Sequence, residues 1–371
     1  MSNDIWVSVW AKLRQDEIIR VPYDFTVHSD FTVYSDENEI KSSFTQINSL
    51  YKDIYGDIAE HPDEFGMPLH SKNQYRIYSQ QWRDSGQAPY RPLILLYNLF
   101  ICGDIDDLFL KVSIDKFRNV NKVKQTQFLF NKLTDYGFVF EGLKNKKPVN
   151  NDIVVSYPDN PILLHLFKMI VDKTYKINPP TGFLSCHNNY LCCNFRLLQN
   201  NINTAGWQDI DELADRIYTQ AEKDFAYKMD EALMSLGMFH KPYGGFECYG
   251  IAYYYSEKTM NSKGPYSFRI VSRTADIENN IYETNKMRLM LRIRNVSNCI
   301  EYLKTCPDSV KEIFRYSDQG CAYRPCNHGV SYEFEGKTHW RCGCCAPAFI
   351  LKPNVNDIPH YIRLVELGEK K

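Results

Sequence analysis

The spacing of the cysteines near the end of the 371-residue chain is the feature that most constrains its fold. Four of them follow the pattern C-x4-C-x15-C-x2-C, which is close to a two-knuckle zinc pattern: Cys321, Cys326, Cys342 and Cys345. Zinc takes four nitrogen or sulfur donors, and two cysteines in one tight turn supply two of them. We therefore predict one structural zinc ion per chain. The alternate ligands are Cys344, His328 and His339. Free thiols, a disulfide, and a redox or catalytic cysteine are the open alternatives.

The residues between the two cysteine pairs predict a β-hairpin over 330–342. Apolar and polar residues alternate from Val330 to Phe334 and again from Lys337 to Cys342, on either side of a Glu335-Gly336 turn. Such a hairpin brings the two pairs together, as in a zinc ribbon. Because so small a module buries little apolar area, metal binding would contribute folding energy on the order of 10 kcal/mol.

Residues 90–177 have the order of elements expected of a winged helix, which is a variant of the helix-turn-helix. The pattern predicts three helices and then two strands around a basic turn: 93–102, 104–117, 122–136, 138–143 and 152–157. Residues of the third helix and the turn would contact DNA: Lys122, Lys124, Gln125, Lys144, Lys146 and Lys147. Winged helices also serve as protein–protein modules, and a lysine-rich turn is usually a solvated loop, so DNA binding is one of two hypotheses.

Net charge and hydropathy limit the kinds of partner that the chain could bind. The formal net charge is -1, so DNA binding would need a local basic patch. No run of about 18 apolar residues is present, so we expect no transmembrane helix and no membrane partner. Residues 1–4 lack a basic region followed by an apolar one, so we expect no signal peptide and a cytoplasmic location. The twelve cysteines would then be thiols or metal ligands.

The second half of the chain predicts an α+β domain that binds a small anionic or aromatic ligand, or a partner. A helix over 209–235 and strands over 250–255, 266–272 and 287–294 would form it. The candidate ligand-binding residues are Tyr249, Tyr253, Tyr255, Arg269 and Arg292. The simpler interpretation, which we favour, is a packed core with arginines on the solvent face.

An enzymatic role finds little support in the sequence. Walker A, G-x-G-x-x-G, G-x-S-x-G and H-E-x-x-H motifs are missing, and no catalytic residue is assigned. A second group of thiol and imidazole side chains is interpreted as core or loop residues rather than a nucleophile site: Cys186, His187, Cys192 and Cys193. We favour a protein that is not an enzyme, with a pocket in 180–295 as the enzymatic alternative.

The fold class predicted is α+β, with four parts. These are an irregular N-terminal extension with a helix over 43–55, a winged-helix-like domain, an α+β domain and a zinc-ribbon-like module: 1–89, 90–177, 178–315 and 316–371. Four segments resemble uncharacterised bacterial proteins, and the resemblance implies this domain order and no activity: 136–144, 156–161, 341–345 and 357–361. The sequence thus predicts a regulator-like protein, with a protein-interaction module as the alternative, and leaves the ligand and the oligomeric state open.

Overall fold

The chain divides into two compact units, residues 1–207 and 208–371, in the computed structural model. Both units combine helices with antiparallel sheets, which confirms the α+β class; the finer four-part division stays a prediction. The structure describes residues 4–75, 79–145, 147–148, 152–177, 189–199, 210–214, 219–244, 249–262, 265–271, 287–316, 329–342 and 348–370. Within these ranges, every helix is too short or too polar to cross a bilayer.

The first unit begins with helices that pack around a large apolar core. They are α1 (Trp6–Glu17), α2 (Glu37–Glu60), α3 (Gln80–Gln87) and α4 (Arg91–Cys102), with 3-10 turns at Ser29–Phe31 and Ala88–Tyr90. Asp36 caps α2 by accepting from the Asn38 and Glu39 backbone N–H groups. The predicted helix over 43–55 is confirmed as part of α2. The irregular start predicted for the chain is wrong over α1, because its nearly continuous apolar run shows no clear helical period.

A four-stranded antiparallel sheet follows α4, in the order β1-β2-β6-β3. Its elements are β1 (Gly103–Asp106), β2 (Phe109–Val112), α5 (Ile114–Val120), α6 (Thr126–Asp135), β3 (Val139–Glu141), β4 (Leu143–Lys144), β5 (Lys147–Pro148) and β6 (Ile153–Ser156). The helices α7 (Ile162–Ile177) and α8 (Arg196–Gln199) complete the unit. The strands β4 and β5 form a separate two-stranded hairpin between β3 and β6.

The helix predicted over 104–117 is wrong, because residues 103–112 form the β1–β2 hairpin. Leu110 and Val112 are fully buried, whereas Phe109 and Lys111 are exposed, and this period of two is typical of a strand. At Gly103 a Cβ would lie 2.9 Å from the Lys111 carbonyl oxygen, so the close pairing requires glycine. The helix predicted over 93–102 and the two predicted strands are confirmed, with shorter strands than expected. The third helix, predicted over 122–136, begins only at Thr126, because the chain turns at Gln125, which has a positive φ.

The second unit is built on a five-stranded antiparallel sheet in the order β13-β10-β9-β8-β7. Its strands are β7 (Phe239–Gly244), β8 (Tyr249–Tyr254), β9 (Phe268–Val271), β10 (Arg288–Arg292), β11 (Gly329–Phe334), β12 (Lys337–Cys342) and β13 (Ala348–Leu351). Its helices are α9 (Ile210–Ala214), α10 (Gln220–Ser235), α11 (Glu257–Asn261), α12 (Ile300–Thr305), α13 (Asp308–Lys311) and α14 (Ile358–Glu369), with 3-10 turns at Val296–Cys299, Glu312–Arg315 and Val355–Asp357. The three predicted strands are confirmed as β8, β9 and β10.

Two predictions for this unit need correction or are only partly tested. The single helix predicted over 296–314 is wrong: Pro307 interrupts it, since proline lacks the N–H that an internal turn requires. The predicted helix over 209–235 corresponds to α9 and α10, and residues 215–218 lie outside the described part. The predicted hairpin over 330–342 is confirmed as β11–β12, with Glu335 and Gly336 both at positive φ in the turn.

Candidate functional site

The turn between α5 and α6, residues 121–125, has a fixed position against α4. Asn121 Oδ1 accepts from Asn98 Nδ2 of α4 at 2.9 Å and from the Val123 backbone N–H at 3.4 Å. Gln125 has a φ of 61°, so the chain turns sharply into α6. The turn exposes three of the residues predicted to contact DNA: Lys122, Lys124 and Gln125.

The helix α6 uses part of its surface to hold the first unit together. It buries three apolar side chains in the core: Leu129, Phe130 and Leu133. Lys132 forms ion pairs with Glu64 and with Asp135, and its ammonium lies 5.4 Å from the centre of the Phe65 ring. The hydrogen bond to Glu64 raises the pKa of Lys132, and the same bond lowers the pKa of Glu64. Lys132 is therefore already neutralised within the protein.

The β4–β5 hairpin corresponds to the predicted basic turn. Gly142 precedes it with a φ of 80°, and a Cβ there would collide with the Asp152 carbonyl oxygen. The Asp152 side chain in turn accepts from the Ile114 backbone N–H at 3.1 Å, which links the hairpin to the start of α5. Lys144 is exposed on β4. Lys146 lies outside the described residues, and of Lys147 only the backbone is described.

A cavity of about 460 Å³ opens beside α4 in the first unit. Its lining comes from four helices and from the 121–125 turn. Tyr97 of α4 is buried in its lining, whereas Tyr175 of α7 and Val120 of α5 are 48% and 41% exposed. The cavity therefore reaches from the core to the surface beside the same turn that exposes the two lysines.

Positive charge dominates the lining of this cavity. Arg91, Lys122 and Lys124 line it together with one carboxylate, that of Asp84. Burial lowers the pKa of Arg91, and the nearby charge of Asp84 opposes that shift. Among the described residues, no ion pair engages either of the two lysines. The two lysines are therefore available to neutralise an anion in the cavity.

The residues predicted to bind a ligand in the second unit are divided between two faces of its sheet. The hydroxyl of Tyr253 donates to Asp230 of α10 at 2.6 Å. Arg269 is the cross-strand partner of Ala252, the neighbour of Tyr253, so it lies on the opposite face. Tyr255 is 41% exposed just after β8, and the side chain of Tyr249 lies outside the described part. Arg269 and Tyr253 therefore do not face one another.

Two arginines of this sheet enclose the ring of Tyr266. The guanidinium carbons of Arg269 and Arg292 lie 4.9 and 4.6 Å from the ring centre. The Nε–H of Arg269 also points at the Met290 sulfur, 3.0 Å away. Arg269 is only 8% exposed, so its guanidinium group is part of the packing of this face of the sheet. The solvent-face arginines expected in the simpler interpretation are thus partly covered.

The cysteine-rich end of the chain is described only in its hairpin. Cys342 is paired with Gly329 across β11–β12, where the Trp340 indole covers the glycine so closely that a Cβ would collide with it. His339 is buried and stacks on Tyr332 at 5.4 Å, on the other face from Cys342. The remaining predicted ligands lie outside the described residues: Cys321, Cys326, His328, Cys344 and Cys345. Elsewhere in the described chain, no group of His, Cys, Asp and Glu could hold a metal.

The inner face of this hairpin packs on other residues of the second unit. The Tyr332 hydroxyl donates to the Phe314 carbonyl at 2.8 Å, and Arg341 donates to the Tyr316 carbonyl at 2.9 Å. The Tyr332 ring also contacts Phe349 of β13, with centres 6.1 Å apart. The hairpin is therefore held by aromatic packing and hydrogen bonds, which the spacing of the cysteines did not predict.

The second thiol group has the environment of core residues where it is described. Cys192 and Cys193 are buried in the first unit, and burial raises the pKa of the Cys193 thiol. A thiol whose pKa is raised is a poor nucleophile at neutral pH. Cys186 and His187 lie outside the described residues.

Sequence reasoning missed the cavity beside α4. Its residues are spread from position 84 to position 175, and no motif connects them. One local signal was present, because no aspartate or glutamate occurs between Asp115 and Asp135 while five cations do. That stretch contains the two lysines of the cavity.

The chain was also compared with protein-family models, with curated proteins and with solved structures, and none of these comparisons finds a match.

Proposed function

We propose that the first unit binds duplex DNA through a winged helix, in a regulator-like protein. The observation that carries the proposal is the order of elements from α4 to β6. Along the chain, α4 is followed by the β1–β2 hairpin, then by two helices joined by a turn, and then by β3 and β6 with the short β4–β5 hairpin between them. The last strand, β6, pairs between β2 and β3, so the two strands that flank the short hairpin are neighbours, as the proposal requires.

The local charge supports the same proposal. The chain as a whole carries a net charge of -1, but every charged residue in the segment from 116 to 134 is a lysine or an arginine. Lys116, Lys122 and Lys124 are exposed along it. Phosphates are contacted by such side chains, and the counterions that they release supply much of the affinity for DNA. The segment therefore supplies the local positive charge that DNA binding by a nearly neutral chain would need.

The side chains of α6 that are not buried in the core are the ones that could contact DNA bases. Asn131 is exposed and Gln127 is half-buried, and amide side chains of this kind pair with adenine in the major groove. Lys144 on the β4–β5 hairpin would contact phosphate, together with Lys146 and Lys147 as predicted from the sequence. Lys132 takes no part in the proposal, because Glu64 and Asp135 neutralise it.

The test is the affinity for a fluorescent random-sequence duplex, measured by anisotropy at several salt concentrations. We expect affinity to fall steeply with salt, and the double variant Lys122→Glu with Lys124→Glu to bind at least about tenfold more weakly. The matched control is Lys228→Glu, an exposed lysine of α10. An affinity that does not respond to salt, or an equal loss in the control, would reject the proposal and favour a protein-interaction module.

We also propose one structural zinc ion, held by the cysteine-rich segments on either side of the β11–β12 hairpin. The support is that Gly329 and Cys342 are cross-strand partners, so both segments leave the hairpin at the same end. The ligands proposed are those of the spacing pattern: Cys321, Cys326, Cys342 and Cys345 or Cys344. His339 is a poor alternate, because it lies on the other face of the hairpin from Cys342.

Metal analysis of freshly purified, reduced protein tests this second proposal. We expect about one zinc per chain, and loss of the metal in Cys342→Ser with Cys345→Ser. The matched control, Cys299→Ser, replaces a buried cysteine of the same unit and should keep the zinc. Reduced protein that contains no zinc would contradict the proposal.

A further inference from the structure

The cavity beside α4 has the size and the walls of a site for a small organic molecule. Its volume of about 460 Å³ lies within the range of roughly 300–1,000 Å³ that is typical of ligand pockets. Apolar side chains and two aromatic rings supply much of its lining: Ile94, Ile101, Val120, Val123, Tyr97 and Tyr175. Such walls favour a flat ring over a flexible polar chain, because rings bury apolar area with little loss of conformational freedom.

The charges around the cavity indicate what the ring should carry. The lining has an excess of two positive charges, because it contains three cations, Arg91, Lys122 and Lys124, and one carboxylate, that of Asp84. A phosphate monoester carries a charge of about -1.5 to -2 at neutral pH, whereas a carboxylate carries only one negative charge. A phosphate monoester therefore balances the lining, and Arg91 offers the planar fork that binds phosphate through two hydrogen bonds.

Polar groups that could orient the ring are also present. Gln87 lines the cavity with an exposed amide, and Asn98 lines it while its side chain donates to Asn121. Amide groups of this kind pair with the edge of a heterocyclic base or with the hydroxyls of a sugar. A nucleoside monophosphate combines such a base and sugar with the required phosphate.

We infer that this cavity is a binding site for an aromatic phosphate monoester of the size of a nucleoside monophosphate. The cations of the lining bind the phosphate, and the apolar side chains of α4, α5 and α7 contact the ring. The site stands without the proposed DNA binding. Only one consequence rests on that function: an occupied cavity withdraws Lys122 and Lys124 from DNA, so ligand and DNA compete.

Isothermal titration calorimetry on the full-length protein tests the site. The probes are adenosine monophosphate, adenosine, inorganic phosphate and benzoate, which separate the contributions of ring, phosphate and charge. We expect adenosine monophosphate to bind at least about tenfold more tightly than each of the other three. No binding of any probe at millimolar concentration, or adenosine or benzoate binding as tightly as the nucleotide, would overturn the inference.

Variants locate the binding within the cavity. Lys122→Gln with Lys124→Gln should weaken the binding of adenosine monophosphate at least about tenfold, and the control Lys228→Gln should leave it unchanged. Val120→Trp should block the ring by filling the cavity. Tyr175→Ala changes a half-exposed side chain, so it should fold normally and weaken binding several-fold. Unchanged affinity in folded protein for all three cavity variants would overturn the site.

One further double variant distinguishes nucleotide binding in the cavity from the proposed DNA binding. Lys116 and Lys144 do not line the cavity, so Lys116→Gln with Lys144→Gln should weaken DNA binding and leave nucleotide binding unchanged. Nucleotide binding in a protein that binds no DNA would uphold the site and reject only the proposed function. DNA binding without nucleotide binding would reject the site alone.

Discussion

Two groups of cations, one in each unit, show how differently the same residue types can be used. In the first unit, Lys122 and Lys124 are exposed at the mouth of a cavity, outside any ion pair of the described residues. In the second unit, Arg269 is buried over the ring of Tyr266 and beside the Met290 sulfur. The first group is available to a ligand, and the second is part of the packing of its own sheet.

Burial and existing partners, rather than residue type, decide whether a cation can bind a ligand. A buried cation has already lost its water and gained contacts within the protein, so removing it leaves a cavity and an unsatisfied face. An exposed lysine has gained little from folding, so replacing it costs little stability. Substitutions in the two groups should therefore have different effects on stability and on binding.

Arg269 should matter most for stability. Arg269→Ala removes the guanidinium from the Tyr266 ring and the stem from the buried face, so the free energy of unfolding should fall by about 2 kcal/mol. The matched variant Arg269→Met keeps much of the apolar stem and should lose less. Urea denaturation of both variants measures the effect. If Arg269→Ala were as stable as the wild type, buried Arg269 would contribute no more to stability than the exposed lysines do.

Lys122 and Lys124 should show the opposite behaviour. Lys122→Gln with Lys124→Gln should change the free energy of unfolding by less than about 0.5 kcal/mol, because both side chains are exposed and outside the ion pairs of the described residues. The same protein should bind DNA more weakly, with a shallower dependence on salt. Denaturation and binding are measured on one preparation. A large loss of stability would mean that the lysines belong to the packing of the turn.

Lys132 offers the smallest and most local test. Its hydrogen bond and charge hold the pKa of Glu64 below the ordinary carboxyl value, so Lys132→Gln should let that pKa rise. The pair therefore stabilises the protein above the ordinary carboxyl pKa, and this contribution is lost as the pH falls through the lowered pKa of Glu64. An NMR titration of the Glu64 carboxyl measures the change. An unchanged pKa would indicate that Lys132 is available to DNA after all.

The sequence predicted those elements whose pattern is local. The hairpin over 330–342 and the strand over 287–294 were found because every second side chain is apolar over a short run. The helix predicted over 104–117 was wrong because the charged and apolar residues of a tight hairpin also fit a helical period there. Pro307 shows the reverse case, since one residue divided a helix that the apolar pattern had predicted as continuous.

The candidate sites were less accessible to sequence reasoning. Lys122 and Lys124 were identified as exposed cations, but they were placed at the start of the third helix, whereas they lie in the turn before α6. Arg91, Asp84 and Tyr97 were missed, since the cavity depends on how α3, α4 and α7 pack together. Arg269 was predicted to meet a ligand because its residue type suits anions, yet only the fold reveals that Tyr266 and Met290 already surround it.

Covalent labelling of lysines, with and without duplex DNA, tests most directly whether the exposed cations of the first unit form a DNA-binding surface. Acetylation at each lysine is read by mass spectrometry on the full-length protein. We predict that DNA protects Lys116, Lys122 and Lys124, while Lys228 of the second unit is modified to the same extent in both samples. Equal modification of all four lysines with and without DNA would contradict the account.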